Sequence, residues 1–329
     1  MQEIRLGTIG SGTIVHSFLD NVAITPCIHL EAVYSRSLEK GTALARKYGA
    51  TKVYTDLDAL LSDSAINFVY IATPNLLHYE QAKKALLAGV NVILEKPFTA
   101  NVTQAKELIQ LARNRRLFLI DAVPTAFLPN LDILKKHLAD IGNIKLVISN
   151  YSQYSSRYDQ VLDGESPNIF NPQYAGGCLM DINFYNVYLN IALFGAPIES
   201  IYYPNIYPGL ADTSGSIILR YDGFVSQNAG AKDTWGVNFF QIEGEKGYIY
   251  IAGGANGIKS VRIVTKESDV TYNSQQNPDR WYYEVLQIVT SVVSDDYERL
   301  NNHHQITLSV IESIETARKA AGILFPCDF

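Results

Sequence analysis

At 329 residues the chain is longer than one typical domain and points to two. Hydrophobic residues at 47% and charged residues at 18% describe a soluble globular protein with ample core, and a net charge of −6 with dispersed charges excludes the basic footprint of a nucleic-acid or anionic-membrane binder. No apolar run reaches membrane length, and residues 1–5 lead straight into a strand pattern, which predicts a cytoplasmic protein.

Residues 4–9 read as a buried strand that runs into Gly10-Ser11-Gly12-Thr13-Ile14-Val15 and then a helical pattern through Phe18 and Leu19. A strand, glycine turn and helix in this order suit a pyrophosphate. One glycine makes the turn, a second lets backbone approach, and the free amides of the helix start, at Thr13 and Ile14, receive the anion. Val15 stands where a third glycine is usual, a departure that bears on helix packing and not on the phosphate contacts. Residues 30–34 form a second strand, where the adenosine ribose is expected. Ser35-Arg36-Ser37 follows in place of an acidic residue, with Lys40 nearby, so the pattern predicts NADP in preference to NAD, with Ser35, Arg36 and Ser37 at the 2′-phosphate. The alternative is an arginine that only caps the surface.

Alternation continues with a short strand at 52–55, a helical turn at 57–61, a buried strand at 67–72, a helix at 79–88 closed by Gly89, a strand at 92–95, a helix at 103–115 and a strand at 117–122. This is the pattern of a doubly wound parallel sheet. Ligands of such sheets sit beyond the carboxyl ends of the strands. Thr73, Pro74, Asn75 and His78 at one strand end, and Glu95 and Lys96 at the next, therefore face the same crevice as Gly10 and Gly12. Pro97 restricts Lys96 to an extended backbone, so the amine is aimed by a stiff turn; the alternative is a surface lysine that simply follows a strand. A histidine near a helix start also has a purely structural reading, as a hydrogen-bonded residue.

From about residue 123 the pattern changes. A helix near 130–138, a long strand at 144–154, an irregular stretch through Pro172 and another helix are followed by strands at 198–205, 214–221, 225–231, 237–243, 248–251 and 260–266, then helices at 281–293 and 305–321. Strands in series make a mostly antiparallel sheet, so residues 1–122 are expected to form a Rossmann domain and 123–329 a separate α+β domain. A free, tyrosine-bearing sheet face predicts a homo-oligomer. Tyrosine, present 21 times, equally suits a polyhydroxylated small-molecule substrate. Cys27, Cys178 and Cys327 fit neither a disulfide framework nor a zinc site and read as free thiols. In Gly176-Gly177-Cys178-Leu179-Met180-Asp181-Ile182-Asn183-Phe184-Tyr185-Asn186, Asp181 and Tyr185 stand four apart, which predicts one shared helix face with either a carboxylate beside a phenol as a proton-handling pair or, the ordinary outcome of such spacing, an exposed face carrying a solvated aspartate and a half-buried tyrosine.

The glycine turn, Ala72-Thr73-Pro74-Asn75 with His78, the 88–97 run ending Glu95-Lys96-Pro97, and Gly176-Gly177 followed by Asp181 resemble, in order and spacing through the whole chain, the glucose-fructose oxidoreductase/inositol dehydrogenase (Gfo/Idh/MocA) family. The resemblance implies a Rossmann domain with an antiparallel sheet domain, and hydride transfer between NAD(P) and a sugar, sugar alcohol or related hydroxyl compound. It implies that Lys96 and Tyr185 handle the proton of the substrate hydroxyl, with Asp181 as orienting partner and no metal. Many members carry histidine at the position of Tyr185. The tyrosine version resembles the branch of glucose-fructose oxidoreductase and dihydrodiol dehydrogenase. Ala126 stands where that branch commonly has arginine, the tryptophan it carries near Pro124 is absent, and Asn183 replaces a frequent glycine; these departures bear on substrate class. Two other readings remain: a dinucleotide-binding sensor without turnover, and a glycosidase of the same fold in which the cofactor cycles.

Overall fold

The computed structural model describes residues 3–329. In its first part, β1 (Ile4–Ile9), α1 (Thr13–Val22), β2 (Ile28–Tyr34), α2 (Leu38–Tyr48), β3 (Lys52–Tyr54), α3 (Leu57–Leu61), β4 (Phe68–Ile71), α4 (His78–Leu87), β5 (Asn91–Glu95), α5 (Val102–Arg115) and β6 (Leu119–Ala122) alternate as strand and helix. The strands form one parallel sheet in the order β3-β2-β1-β4-β5-β6, which reverses direction of growth between β1 and β4. Continuous apolar runs make these strands because both faces are covered: every residue of β4 is buried, as are the last four of β5. Phe18 of α1 stacks on Tyr70 of β4 at 4.0 Å between centroids, both fully buried. Burying a side chain of that size contributes about 1.5–3 kcal/mol. Local signals set the helix ends: Ser37 caps α2, which stops at Gly49 in the left-handed conformation, and Asp56 caps α3.

The second part contains α6 (Pro129–His137), β7 (Ile144–Ser152), α7 (Ser156–Leu162), α8 (Cys178–Asp181), α9 (Asn183–Phe194), β8 (Glu199–Ile206), β9 (Asp212–Arg220), β10 (Val225–Ala231), β11 (Phe239–Gly244), β12 (Gly247–Ala252), β13 (Val261–Thr265) and β14 (Asp269–Tyr272). Its eight strands lie in the order β14-β13-β12-β11-β7-β10-β9-β8, antiparallel except where β10 runs parallel to β7. Burial alternates along them: Phe240, Ile242, Ile249, Ile251 and Ile263 point into the core, while Gln241, Tyr248, Tyr250 and Arg262 face the other way.

Two elements lie outside the expected list. α7 forms within the stretch read as irregular, capped by Ser155, and β14 is a short edge strand. Arg262 reaches across to Asp269 of β14 in a two-pronged ion pair at 2.8 and 2.6 Å. β14 is mostly exposed, so no apolar alternation marks it in the sequence. Helices α10 (Arg280–Val293) and α11 (Tyr297–Ala320) close the chain, α11 starting eight residues before the expected 305.

The chain divides into two compact units, and the division differs from a simple cut at 122/123. Residues 281–305 belong with 1–99 and 103–123, whereas 100–102, 124–280 and 306–329 make the second unit. The physical reason is local packing in the first unit. Tyr297 stacks on Phe118 at 4.5 Å, the Nε2 of His304 bonds the Leu119 carbonyl at 2.7 Å, and Arg113 donates to Asn301 at 3.1 Å.

Candidate functional site

In the first unit the candidate residues collect on one edge because β1, β4 and β5 end in register: Ile9 pairs with Ile71, and Ile71 with Leu94. Gly10 leaves β1 at φ +124°, and a Cβ there would stand 2.6 Å from the Ala72 carbonyl oxygen. Only glycine fits. Gly12 is different. Its backbone, at φ −80° and ψ 178°, suits any residue, and a Cβ built on it meets nothing within 4 Å. Neither conformation nor packing of this chain calls for glycine there. What its missing side chain leaves is room beside the start of α1, where the amides of Thr13 and Ile14 belong to the unbonded first turn. Val15 is fully buried, so it carries the packing in place of the usual third glycine.

At the end of β2, Ser35 is buried and its Oγ accepts the amide of Ser37 at 3.2 Å, while the Ser37 Oγ accepts the amide of Lys40 at 3.3 Å. Both hydroxyls are used as acceptors, so each keeps its proton to donate. Arg36 and Lys40 are exposed beside them.

The β4 and β5 ends are tied together. Thr73 Oγ1 donates to Gln81 Oε1 at 2.6 Å, and Asn75 opens a single turn at Asn75–Leu77. His78 is buried with Nδ1 2.9 Å from the Pro97 carbonyl and Nε2 2.9 Å from that of Thr73. Both ring nitrogens are therefore occupied by backbone, which makes His78 the strut between the two strand ends. What it contributes to the strand edge comes through Thr73 and Pro97, whose carbonyls it holds. Burial pushes its pKa down to about 4, and the Lys96 charge works in the same direction against the two carbonyls. The ring is neutral at pH 7, so it carries one N–H and faces one carbonyl without a proton. Glu95, buried, accepts the Tyr70 hydroxyl on Oε1 at 2.6 Å and the Lys96 amide on Oε2 at 3.2 Å. It holds the turn from which Lys96 projects; the Lys96-Pro97 peptide is cis.

In the second unit, α8 is only four residues long and owes its position to a remote acid. Asp212 at the start of β9 accepts the Leu179 amide on Oδ2 at 2.7 Å and the Tyr202 hydroxyl at 2.7 Å. A side chain on Gly177, at φ +130°, would run into that carboxylate. Burial raises the Asp212 pKa, opposed by these donors. The expected single helix face for Asp181 and Tyr185 is not what forms. Asp181 ends α8 and Tyr185 lies in the first turn of α9, with the chain breaking at Ile182, where the Tyr185 amide takes the tighter bond to the Ile182 carbonyl at 3.2 Å. Nor is there a polar face, because every residue from Asn183 to Ile191 is buried.

The asparagines explain that burial. Asn186 Nδ2 donates to Asn183 Oδ1 at 2.9 Å and to the Ala229 carbonyl at 3.0 Å; Asn190 Nδ2 donates to Asn228 Oδ1 at 2.8 Å, which also accepts Ser149 Oγ at 2.7 Å. This amide ladder joins α9 to β10 and β7. Tyr185, 4% exposed, meets Tyr151 edge-on at 6.1 Å, and the Arg280 guanidinium lies 5.8 Å from its ring centroid. Asp181 forms an ion pair with Lys232, the residue after β10.

Of the residues singled out from the sequence, the glycine turn, Thr73 and Lys96 lie at the strand edge of the first unit and Asp181 and Tyr185 at the α8–α9 junction of the second; Tyr70, Asp212, Lys232 and Arg280, which the sequence reading did not single out, contact Glu95, α8, Asp181 and Tyr185. A lysine directly after a strand is the same signal at 232 as at 96, and it could have been read. Among the described residues no group of three or more His, Cys, Asp or Glu side chains is arranged to hold a metal ion.

Residues 4–120 match the model of the oxidoreductase family with NAD-binding Rossmann fold (GFO/IDH/MocA), and residues 135–250 match that of the GFO/IDH/MocA C-terminal domain. The chain is 35% identical over 328 residues to the scyllo-inositol 2-dehydrogenase (NADP(+)) IolU of Bacillus subtilis, covering 99% of each. It is 23% identical over 355 residues to the trans-1,2-dihydrobenzene-1,2-diol dehydrogenase of Mus musculus, again covering 99% of each. Among solved structures, the 3-ketoreductase KijD10 of Actinomadura kijaniata, in complex with NADP and TDP-benzene, superimposes with a TM-score of 0.84 at 20% identity, over 96% of this chain and 97% of the other.

Proposed function

The chain belongs to the GFO/IDH/MocA oxidoreductase family, and we propose that it transfers a hydride between NADP(H) and a hydroxyl- or carbonyl-bearing carbon of a sugar, polyol or dihydrodiol-like compound. The observation that carries this reading is the strand edge of the first unit, which sets the open glycine cradle at Gly12 in register with the Lys96 turn. Gly10, Gly12 and the amides of Thr13 and Ile14 would hold the pyrophosphate, with Ser35, Arg36 and Ser37 at the 2′-phosphate, and Thr73, Pro74, Asn75 and Glu95 shaping the rest of the cradle. When bound, NADP supplies the hydride acceptor. Relatives that use NADP support that choice over NAD.

On the protein side, Tyr185 takes the proton of the substrate hydroxyl in oxidation and returns it in reduction. A free phenol ionises near pH 10, too high for a base at neutrality. Cations favour the phenolate, and two are available to this reading: Lys96, and Arg280 beside the Tyr185 ring. Each tenfold gain in phenolate is worth about 1.4 kcal/mol. Asp181 is the orienting partner.

The full-length similarity to the inositol enzyme makes cyclic polyols the first substrates to try. The test is a panel of scyllo-inositol, myo-inositol, D-xylose and a trans-dihydrodiol, read by the near-ultraviolet absorbance of NADPH. Turnover of one or more with NADP and much less with NAD is expected. Release of free sugar from glycosides with no net NADPH would overturn the reading in favour of a glycosidase, and NADPH binding with no turnover would favour a sensor.

The free sheet face supports a homo-oligomer, since Ile201, Tyr203 and Ile206 of β8 are large, apolar and exposed. Light scattering on the purified protein tests it. Three free thiols support residence in the cytoplasm.

A further inference from the structure

Lys232 lies one residue beyond β10 and its side chain is only 6% exposed, yet it carries an ammonium. That ammonium is bonded to Asp181 Oδ2 and sits 5.9 Å from the centroid of the Phe170 ring. An ammonium in such a place is expensive without a partner, and so is the carboxylate it meets. The titratable groups around the pair are otherwise engaged. Asp212 is bonded to Tyr202 and the Leu179 amide, and Asp233 accepts Thr213 Oγ1 at 2.7 Å and Ser214 Oγ at 2.9 Å. Burial raises the pKa of the Cys178 thiol and the Tyr202 phenol, so both stay neutral at pH 7. Asp181 is therefore the acid that Lys232 serves.

Placement of Lys232 is not incidental. The amide ladder from Asn183, Asn186 and Asn190 to Asn228 and the Ala229 carbonyl registers β10 against α9, which carries Tyr185. The strand thus delivers the ammonium, and the helix the phenol, from one rigid framework.

We infer that Lys232 is a positioning residue for the proton-handling group: it fixes the Asp181 carboxylate and offsets its charge, so that Tyr185 ionises near an ion pair and not near an Asp181 that has lost this ammonium. This rests on the reading of Tyr185 as acid/base with Asp181 as its partner. Without Lys232, Asp181 either keeps its charge and disfavours the phenolate or takes up a proton and adds its own titration. Both alter the pH dependence of the rate.

The experiment measures kcat against pH for NADP reduction by scyllo-inositol, or by whichever panel compound turns over, in the wild type, Lys232→Met, Lys232→Arg, Asp181→Asn, the double variant Lys232→Met/Asp181→Asn, and Tyr185→Phe. NADPH binding, followed by its fluorescence, reports the fold of each. Lys232→Met should lose at least about tenfold in kcat at neutral pH and move the acid limb up by about one pH unit, the usual effect of removing a nearby opposite charge. The double variant should bring the limb back toward the wild-type position, and Lys232→Arg should keep it. A loss in Lys232→Met that is uniform across pH, or a double variant no closer to wild type than the single, overturns the inference alone. A Tyr185→Phe protein with the wild-type rate, or a wild type inert to the whole panel, overturns the functional reading and this inference with it.

Discussion

Gly230 of β10 runs so close to Asn183 of α9 that a Cβ on the glycine would stand 2.6 Å from the asparagine Cβ and 2.8 Å from its Cγ. Asn183 is the residue that replaces a frequent glycine of the family, and Gly230 is where the strand makes room for it. Overfilling a packed contact costs about 1–3 kcal/mol. Gly230→Ala is therefore expected to lower the melting temperature by several degrees and to reduce kcat, because the strain falls on the helix turn carrying Tyr185. Adding Asn183→Gly should recover part of the loss. Thermal denaturation of the two single variants and the double decides it: strictly additive losses would mean that the two positions do not press on each other.

Lys96 leaves a turn in which its own backbone amide donates to Glu95 Oε2 and the Pro97 carbonyl meets His78 Nδ1, two contacts made through backbone atoms that Lys96→Met keeps. Lys96→Met should accordingly fold and bind NADPH within about threefold of wild type, while turnover falls by two orders of magnitude or more, the usual scale for removing a proton-handling group. Tyr185→Phe should behave the same way. Parallel losses of NADPH affinity and rate in Lys96→Met would assign the lysine to the cofactor site alone.

The Arg36 side chain is exposed with no hydrogen bond or ion pair to another described residue, while the neighbouring serine hydroxyls hold free protons. Its guanidinium is available to a phosphate. A charge-assisted bond of this kind contributes about 1.5–3 kcal/mol, so Arg36→Ala should weaken NADPH binding by about tenfold to a hundredfold and leave NADH binding within about twofold. Equal weakening of both, measured by titration calorimetry, would place Arg36 outside the 2′-phosphate contact.

How far the sequence reaches depends on whether a residue's environment follows from its neighbours in the chain. Strands such as Phe68–Ile71, buried on both faces, are continuous apolar runs, so the parallel sheet and its ligand edge are legible. Asn183, Asn186 and Asn190 are the opposite case. Spaced three and four apart, they look like the wet face of an amphipathic helix, and only partners on β10 and β7 make their burial tolerable. The break at Ile182 is hidden for the same reason, since α8 is capped by Asp212 from more than thirty positions away. Lys232 reads as a surface lysine until β10 is laid beside α8 and α9. Residues 281–305 carry no local mark of belonging to the first unit, because what places them there is contact with Phe118 and Leu119.

Two buried histidines give the first unit a pH dependence that can be worked out in sign. His304, 2% exposed, uses Nε2 as donor to the Leu119 carbonyl and leaves Nδ1 without a partner, so its buried neutral form is the native one. Burial pushes the pKa of His304, and that of His78, down to about 4. In the unfolded chain both would titrate near 6.5. The unfolded state therefore binds the proton first as pH falls, and stability that is fully present above pH 6.5 is lost progressively toward pH 4. A gap of this size amounts to roughly 3 kcal/mol for each histidine once the lower pH is reached. Between pH 7 and pH 5 the melting temperature of the wild type should fall. His304→Gln keeps a donor for the Leu119 carbonyl and does not titrate, so it should start lower at pH 7 and fall less over the same interval. If instead the variant and the wild type lose stability in parallel between those pH values, His304 does not remain neutral in the folded protein, and the drop must come from other groups.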